Sequence, residues 1–258
     1  IRIDAISKVT GAAPYPGDID LPGQLWMKIL FAGRPHARIL KLDTSRAEAH
    51  PGVVAVLTAK DVPVNGYGLG TPDQPVLCGP GSGIEGADIV RFVGDQVALV
   101  IAETEQTAAE ARALIEIEWQ DLPLITDIDA ALQPDAPQIV SSAPGNVFKS
   151  YRIRKGDVAA AWAECDVIIE GEYHTPMQEH AYLQPEAGQG YIDDEGRITV
   201  KVAGQWTHED QLQIAHSLAL PPEQIRVIYP AIGGAFGGRE DMSIQIVLAL
   251  AALKPRRP

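Results

Sequence analysis

Apolar and polar positions alternate with a period of two over residues 24–31, 37–42 and 53–58, and each stretch predicts a β-strand. Residues 92–102 read as a bend followed by a buried strand, and 115–119 alternate again. Between them, 105–114 carries a helical period with Glu110 and Arg112 outward. A short helix is predicted over 44–49, opened by Asp43 or Thr44 as cap and stopped by Pro51-Gly52. The turn formers Gly11, Pro14, Pro16, Gly17 and Pro22 make residues 1–22 an extended lead-in. Residues 61–88, rich in Pro and Gly with few apolar anchors, predict a long surface loop carrying Cys78. Strands and helices of this first part make a mixed α/β, α+β unit over residues 1–127. A proline-marked linker of little periodicity follows over 128–146.

The second domain is placed at 147–258. Asp157 is a fair N-cap for an alanine-rich helix running to about Cys165, which is expected in the core. Residues 167–173 alternate as a strand. Asp193-Asp194-Glu195-Gly196 reads as a hairpin turn between 190–192 and 197–202. Thr207 and Asp210 resemble a capping box ahead of an amphipathic helix over 212–220. Finally, a β-branched strand over 224–229 ends at Pro230, a glycine loop follows, and 243–253 is apolar almost all round, the pattern of a buried helix.

Composition narrows the classes. A chain of 258 residues, 46% hydrophobic, allows one large or two ordinary domains with real cores. A net charge of −13 argues against a nucleic-acid partner, whose phosphates demand Lys and Arg. No run approaches the roughly 18 apolar residues of a membrane span, and no basic-then-apolar leader is present. With only two cysteines, Cys78 and Cys165, a reducing compartment and hence the cytoplasm is the expectation.

The loop Gly233-Gly234-Ala235-Phe236-Gly237-Gly238-Arg239-Glu240-Asp241 holds four glycines in six residues between strand and helix. Glycine there implies positive φ or close backbone approach, and free amides ahead of a helix make an anion-accepting concavity. Neither nucleotide loop fits: Arg239-Glu240 stands where Lys-Ser/Thr is needed, and Ala235 where the dinucleotide pattern needs glycine. A buried tight turn is the plainer alternative, although a turn alone asks for neither Phe236 nor three charges. Elsewhere His174, Glu179, His180 and Glu186 are metal-ligand types without metal-ligand spacing, so structural hydrogen bonding beside a cavity is favoured and no protein metal ligand is assigned.

Gly-Gly-Ala-Phe-Gly-Gly-Arg-Glu-Asp at 233–241 resembles the Gly-Gly-Gly-Phe-Gly-Gly-Lys-Glu signature of the molybdenum hydroxylases, the xanthine dehydrogenase and aldehyde oxidase family. Residues 178–188, Gln-Glu-His-Ala-Tyr-Leu-Gln-Pro-Glu-Ala-Gly, and 204–207, Gly-Gln-Trp-Thr, are similar to two more segments of its large subunit, and residues 4–15 with 34–39 look like its hammerhead domain. The resemblance implies a hammerhead-type domain followed by the first part of a molybdopterin-binding domain. It also implies molybdenum-molybdopterin as cofactor, in bacteria usually the cytosine dinucleotide form, and hydroxylation of a purine, other N-heterocycle or aldehyde with water as oxygen donor.

On the matched positions Gln205 would hydrogen-bond the apical oxo ligand of the metal. Gly234, Ala235, Phe236, Gly237 and Gly238 would bring backbone to the cofactor, and Arg239 and Glu240 would face substrate. The two segments are expected to converge on one pocket. The family's general-base glutamate would lie beyond residue 258, so no catalytic base is expected here and the chain is expected to be a truncated or split large subunit. Partners implied are the rest of that subunit, an iron–sulfur (2Fe-2S) subunit and an FAD subunit. A non-catalytic anion-binding or assembly module keeping this fold is the competing reading.

Overall fold

A computed structural model describes residues 2–258. One unit comprises residues up to Leu122 together with His180–Pro258, and Pro123–Glu179 forms a second. The first unit opens with a short helix α1 (Ala5–Val9), where only an extended lead-in was expected. Its hydrogen bonds are local, including Thr10 N–H to Ile6 O at 3.0 Å, so glycines and prolines further on do not prevent it.

Strands β1 (Trp26–Phe31), β2 (Ala37–Asp43) and β3 (Val53–Thr58) follow, with helix α2 (Ser45–Glu48) between the last two. After β4 (Ile89–Val90) come β5 (Gln96–Ala102), α3 (Glu105–Arg112) and β6 (Glu116–Asp121). Two antiparallel sheets result, in the orders β1-β5-β3 and β4-β2-β6. β5 is central and nearly all buried, which is why its sequence is a continuous apolar run rather than an alternating one. Thr104 caps α3 by accepting from Thr107 N–H, and Ala108 and Ala111 are its buried face.

Residues 61–88 are not the surface excursion expected. Val62, Val76, Leu77 and Cys78 are buried, and so is Asn65. The Asn65 amide substitutes for a strand neighbour, donating through Nδ2 to Leu77 O (2.8 Å) and accepting from Leu77 N–H (2.9 Å). Burial also pushes the Cys78 thiol well above its ordinary range. A side chain that pairs with backbone leaves no hydrophobic periodicity to read.

The remainder of this unit is a hairpin and a crossover. β7 (Gly188–Ile192) and β8 (Ile198–Val202) pair antiparallel around the Asp193–Gly196 turn. Helix α6 (Thr207–Leu218) then carries the chain to β9 (Ile225–Ile228), parallel to β8, and α7 (Gln245–Leu253) lies on the sheet. Seven of the nine residues of α7 are buried. Leu57, Leu99 and Ile101 of β3 and β5 and Leu77 of the 61–88 segment share one core with Val200, Ile214, Ile246 and Leu250.

The second unit contains α4 (Ile128–Ala131), α5 (Val158–Ala163) and a 3-10 turn at Pro144–Asn146. Asn146 holds part of it together, bonding Ala131 O, Pro137 O and Ile139 N–H. Asp157 caps α5 as expected, accepting from Ala160 N–H at 3.1 Å. Cys165, expected in the core, is exposed. The strand expected over 167–173 is absent: the alternation is present, but no ladder forms and Val167, Ile169 and Tyr173 are exposed. An extended segment without a pairing neighbour gains nothing from its pattern. No helix among the described residues is long and apolar enough to cross a membrane.

Leu99 pairs with Ile29 of β1 and Leu57 of β3 and is fully buried. Leu99→Ala is expected to cost about 2–5 kcal/mol, read as a lowered midpoint in urea unfolding; a loss under about 1 kcal/mol would mean the site collapses around the gap.

Candidate functional site

Three connections meet at one edge of the β7-β8-β9 sheet, and strand direction is the cause. β8 and β9 run parallel, so Gly204-Gln205 after the first and the glycine loop after the second leave from the same edge. β7 runs antiparallel with Gly188 opposite Val202, so residues 180–187 arrive there too. The carboxyl ends of parallel strands are where open α/β sheets hold ligands.

Hydrogen bonds join the three segments. Gly233 N–H donates to Gln184 Oε1 at 2.7 Å, and Gln184 N–H to Gly233 O at 3.4 Å. Arg239 N–H donates to Gln205 Oε1 at 3.2 Å, and Gln205 N–H returns to Arg239 O at 3.1 Å. With its oxygen taken by backbone, exposed Gln205 presents Nε2, which has no partner among the described residues.

The loop between these ties is closed by Gly238 N–H to Ala235 O at 2.9 Å. The N–H groups of Gly234, Ala235, Phe236 and Gly237 meet no acceptor among the described residues, and all four residues are half-buried or exposed. Consecutive unpaired donors on a turn suit an anionic or electron-rich group. Phe236 stands at φ 52° with its ring 78% exposed. A left-handed residue with a β-carbon costs roughly 1–2 kcal/mol, and this ring recovers none of it by burial.

The loop therefore has two different faces. On the inner one, a β-carbon on Gly238 would lie 2.8 Å from the His180 ring, closer than packing allows. On the outer one, a β-carbon on Gly237 would meet nothing nearer than Glu240 Oε1 at 3.9 Å and His180 Nε2 at 4.0 Å. Glu240 is half-buried and has no partner among the described residues.

Arg239, expected beside Glu240 facing substrate, is on the inner face and 1% exposed. Its Nε donates to Gly234 O (3.1 Å) and its Nη2 to Gln184 O (2.8 Å), while Nη1 lies 2.5 Å from Glu186 Oε1 at an angle short of a good hydrogen bond. The guanidinium also stacks 3.9 Å from the Tyr182 ring centroid. A cation occupied in this way is withdrawn from the open face.

The segments converge as expected, and the face they share is an open one. A cavity of about 320 Å³ lies elsewhere, lined by Leu25, Met27, Gly188, Leu248 and Ala252 among others, and includes neither Gln205 nor Phe236. Among the described residues no three His, Cys, Asp or Glu side chains gather as a metal-binding group.

Sequence reasoning missed two supports. One is the trio Tyr182, Gln184 and Glu186, whose every-other-residue spacing is the signal that was available. The other is Asp210, which is not part of a capping box: α6 starts at Thr207, Thr207 makes no cap bond, and Asp210 is fully buried. Tyr229 Oη donates to Asp210 Oδ2, and the Gln245 amide approaches from α7. Burial pushes the Asp210 carboxyl up to about 6, hydrogen bonding from Tyr229 and Gln245 working against it.

Four unshared amides and a glutamine donor stand on this open face, and comparison with known proteins identifies the fold that carries them. Residues 10–123 match the family model for the aldehyde oxidase and xanthine dehydrogenase a/b hammerhead domain, and 139–258 that for the molybdopterin cofactor-binding domain. The chain is 38% identical over its whole length to a probable xanthine dehydrogenase subunit of Bacillus subtilis, covering 33% of it. It is 36% identical, again over its whole length, to the nicotinate dehydrogenase large molybdopterin subunit of Eubacterium barkeri, covering 59% of that protein. The crystal structure of the aldehyde oxidoreductase from Desulfovibrio desulfuricans superposes with a TM-score of 0.88 at 28% identity, over 99% of this chain and 29% of that one. The fold is thus a hammerhead domain leading into the start of a molybdopterin-binding domain. The chain belongs to the molybdenum hydroxylase family, as the N-terminal portion of a large subunit of the xanthine dehydrogenase and aldehyde oxidase type.

Between pH 4 and 6 the folded protein keeps the Asp210 proton that the unfolded chain has released, so this group makes stability fall as pH rises through that window and adds no slope above it. Asp210→Asn removes the titration. The melting-temperature difference, variant minus wild type, is expected to rise in the variant's favour from pH 4 to 6.5; a difference flat with pH would show that the carboxyl does not titrate there.

Proposed function

We propose that the chain forms one wall of the molybdopterin site in a molybdenum hydroxylase that oxidises a purine, another N-heterocycle or an aldehyde. Molybdenum-molybdopterin, when bound, supplies a two-electron centre through which oxygen from water is added to carbon. The observation that carries this reading is the run of free N–H groups at Gly234, Ala235, Phe236 and Gly237 next to Gln205 Nε2. These donors are fixed before the cofactor arrives, which is what makes neutral donors effective at stabilising charge that develops on oxygen.

Gln205 and the loop amides hold and orient the cofactor, with Gly238 keeping the loop close to His180. Glu240, unpaired by any described residue and next to the open side of Gly237, is the substrate-facing carboxylate. The chain spans 33% and 59% of the two relatives named above. The proton acceptor is assigned to a glutamate in the remainder of the large subunit. Electrons would leave through 2Fe-2S and FAD partners, the cofactor being the cytosine dinucleotide form and the location cytoplasmic. The division proposed is hammerhead domain to residue 127, linker 128–146 and cofactor-domain start from 147.

Purification with co-assembling chains from a host that makes the cofactor should give molybdenum and pterin in proportion to this chain. Gln205→Ala should keep the metal and lower kcat roughly 10²–10³-fold, as for loss of one preorganised donor. Preparations that assemble with partners yet contain neither molybdenum nor pterin would favour a binding or assembly module instead.

A further inference from the structure

We propose that Arg239 is a positioning residue: a buried guanidinium strut that holds the outward amides of the glycine loop and the Gln205 side chain in one fixed arrangement. The inference rests on the proposed function for its meaning, though not for its geometry.

A guanidinium is planar, always charged, and carries five N–H donors in a rigid fork, so burying it is tolerable only where that fork is matched. At Arg239 the match comes from every side. Gln184 O and Gly234 O receive hydrogen bonds, Glu186 supplies the opposite charge, and Tyr182 supplies a ring face. Glu186 is itself held in place, accepting from Tyr182 Oη and Ser243 Oγ, each at 2.8 Å. One side chain thus engages alternate residues of the 182–186 segment and the first carbonyl of the loop, and the same residue's backbone engages Gln205 at both its N–H and its side-chain oxygen.

The loop has little else to hold it. From Gly234 to Gly237 no N–H is bonded to a described residue, and the only internal closure is Gly238 N–H to Ala235 O. Phe236 is left-handed with its ring in solvent, so nothing on the outer side fixes that conformation. The fixing has to come from beneath, where Arg239 Nε donates to Gly234 O and Gln184 Oε1 accepts from Gly233 N–H at the loop's start. Arg239 itself is 1% exposed and does not reach the open face, so it acts through the groups it holds. Displacements near 1 Å in such groups are enough to matter for a reacting geometry.

Lysine, which the family signature carries at this position, meets only part of these contacts. An ammonium can answer the Glu186 charge, but it lacks the planar fork that reaches Gly234 O and Gln184 O together while lying on Tyr182. Arg239→Lys therefore keeps the charge and removes the geometry. In the assembled protein, amide hydrogen exchange at Gly233 and Gly238, the two bonded amides of the loop, is expected to quicken roughly ten- to a hundredfold in this variant, the range for loss of a charge-assisted hydrogen bond. Exchange in β8 and α7 should be unchanged. Molybdenum content should hold while kcat falls about tenfold or more with KM within about twofold.

Glu186→Gln, which leaves both backbone bonds of the guanidinium available, should quicken loop exchange less. Where Arg239→Lys does not fold, Tyr182→Leu, which removes the stacking face and the hydroxyl bonded to Glu186 but neither backbone bond of the guanidinium, must still quicken Gly233 and Gly238 selectively. Loop exchange at the wild-type rate in the soluble variants would overturn the proposal. So would quickening spread evenly over the core, which is the mark of a merely structural residue. Because exchange is read with or without metal, wild-type protein lacking molybdenum would sink the cofactor reading while leaving the strut to be judged on its own.

Discussion

Helix α7 is apolar on every face, and a helix of that kind has to be enclosed on all sides. The β7-β8-β9 sheet covers one side, α6 another, and β5 of the hammerhead strands contributes a third. No one of these elements could enclose it alone. The shared core of Leu99, Val200, Ile214 and Leu250 is the consequence, and it joins stretches of chain about 100 residues or more apart. Once α7 is fixed, so is the residue at which the glycine loop must end. Ser243 and Ile244 donate backbone N–H groups to Gln245 Oε1 at 2.7 and 2.9 Å, which settles the helix entry without an outside cap.

Polar groups then divide the space above that core. Arg239 and Asp210 are both buried and both lie under the sheet edge, yet they are stabilised differently. The guanidinium is surrounded by carbonyls, a carboxylate and an aromatic face. The carboxyl has a tyrosine hydroxyl and an amide for neighbours, and burial raises it to about 6. An ionised buried group without a counter-charge is expensive, so protonation is the less costly state for Asp210 at mildly acid pH.

Much of this was legible in residues whose pattern is local. The hairpin at Asp193–Gly196, the crossover from β8 through α6 to β9, and the buried α7 follow from periodicity and turn chemistry alone. That Gln205 and the glycine loop share a sheet edge was expected only from the resemblance, because the parallel β8-β9 pairing that causes it is not written in periodicity. What could not be read depends on distant partners. Asn65 looks like a loop residue until Leu77 is placed beside it, and Asp210 imitates a cap three positions after Thr207. Residues 167–173 err in the opposite direction: the strand pattern is real, but pairing is a property of two segments. Arg239 was set beside Glu240 by its place in the matched motif, and only Gln184, Glu186 and Tyr182 together show what makes its burial tolerable.

Glu186 shows how closely the parts depend on one another. Its two oxygens divide between the strut and the helix: Oε1 accepts from Tyr182 Oη and faces Arg239 Nη1 as its counter-charge, and Oε2 accepts from Ser243 Oγ at the approach to α7. The carboxylate therefore couples the packed helix to the exposed loop, the rigid part of the unit to the part left open for a ligand. Opposite it, Tyr229 and Asp210 join the end of β9 to α6, so the loop's entry is tied to one helix and its exit to the other. A loop anchored at both ends and held by a guanidinium beneath its first carbonyl can leave four amides unsatisfied at its outer face without collapsing onto them. That unsatisfied face is the feature a tight structural turn would lack.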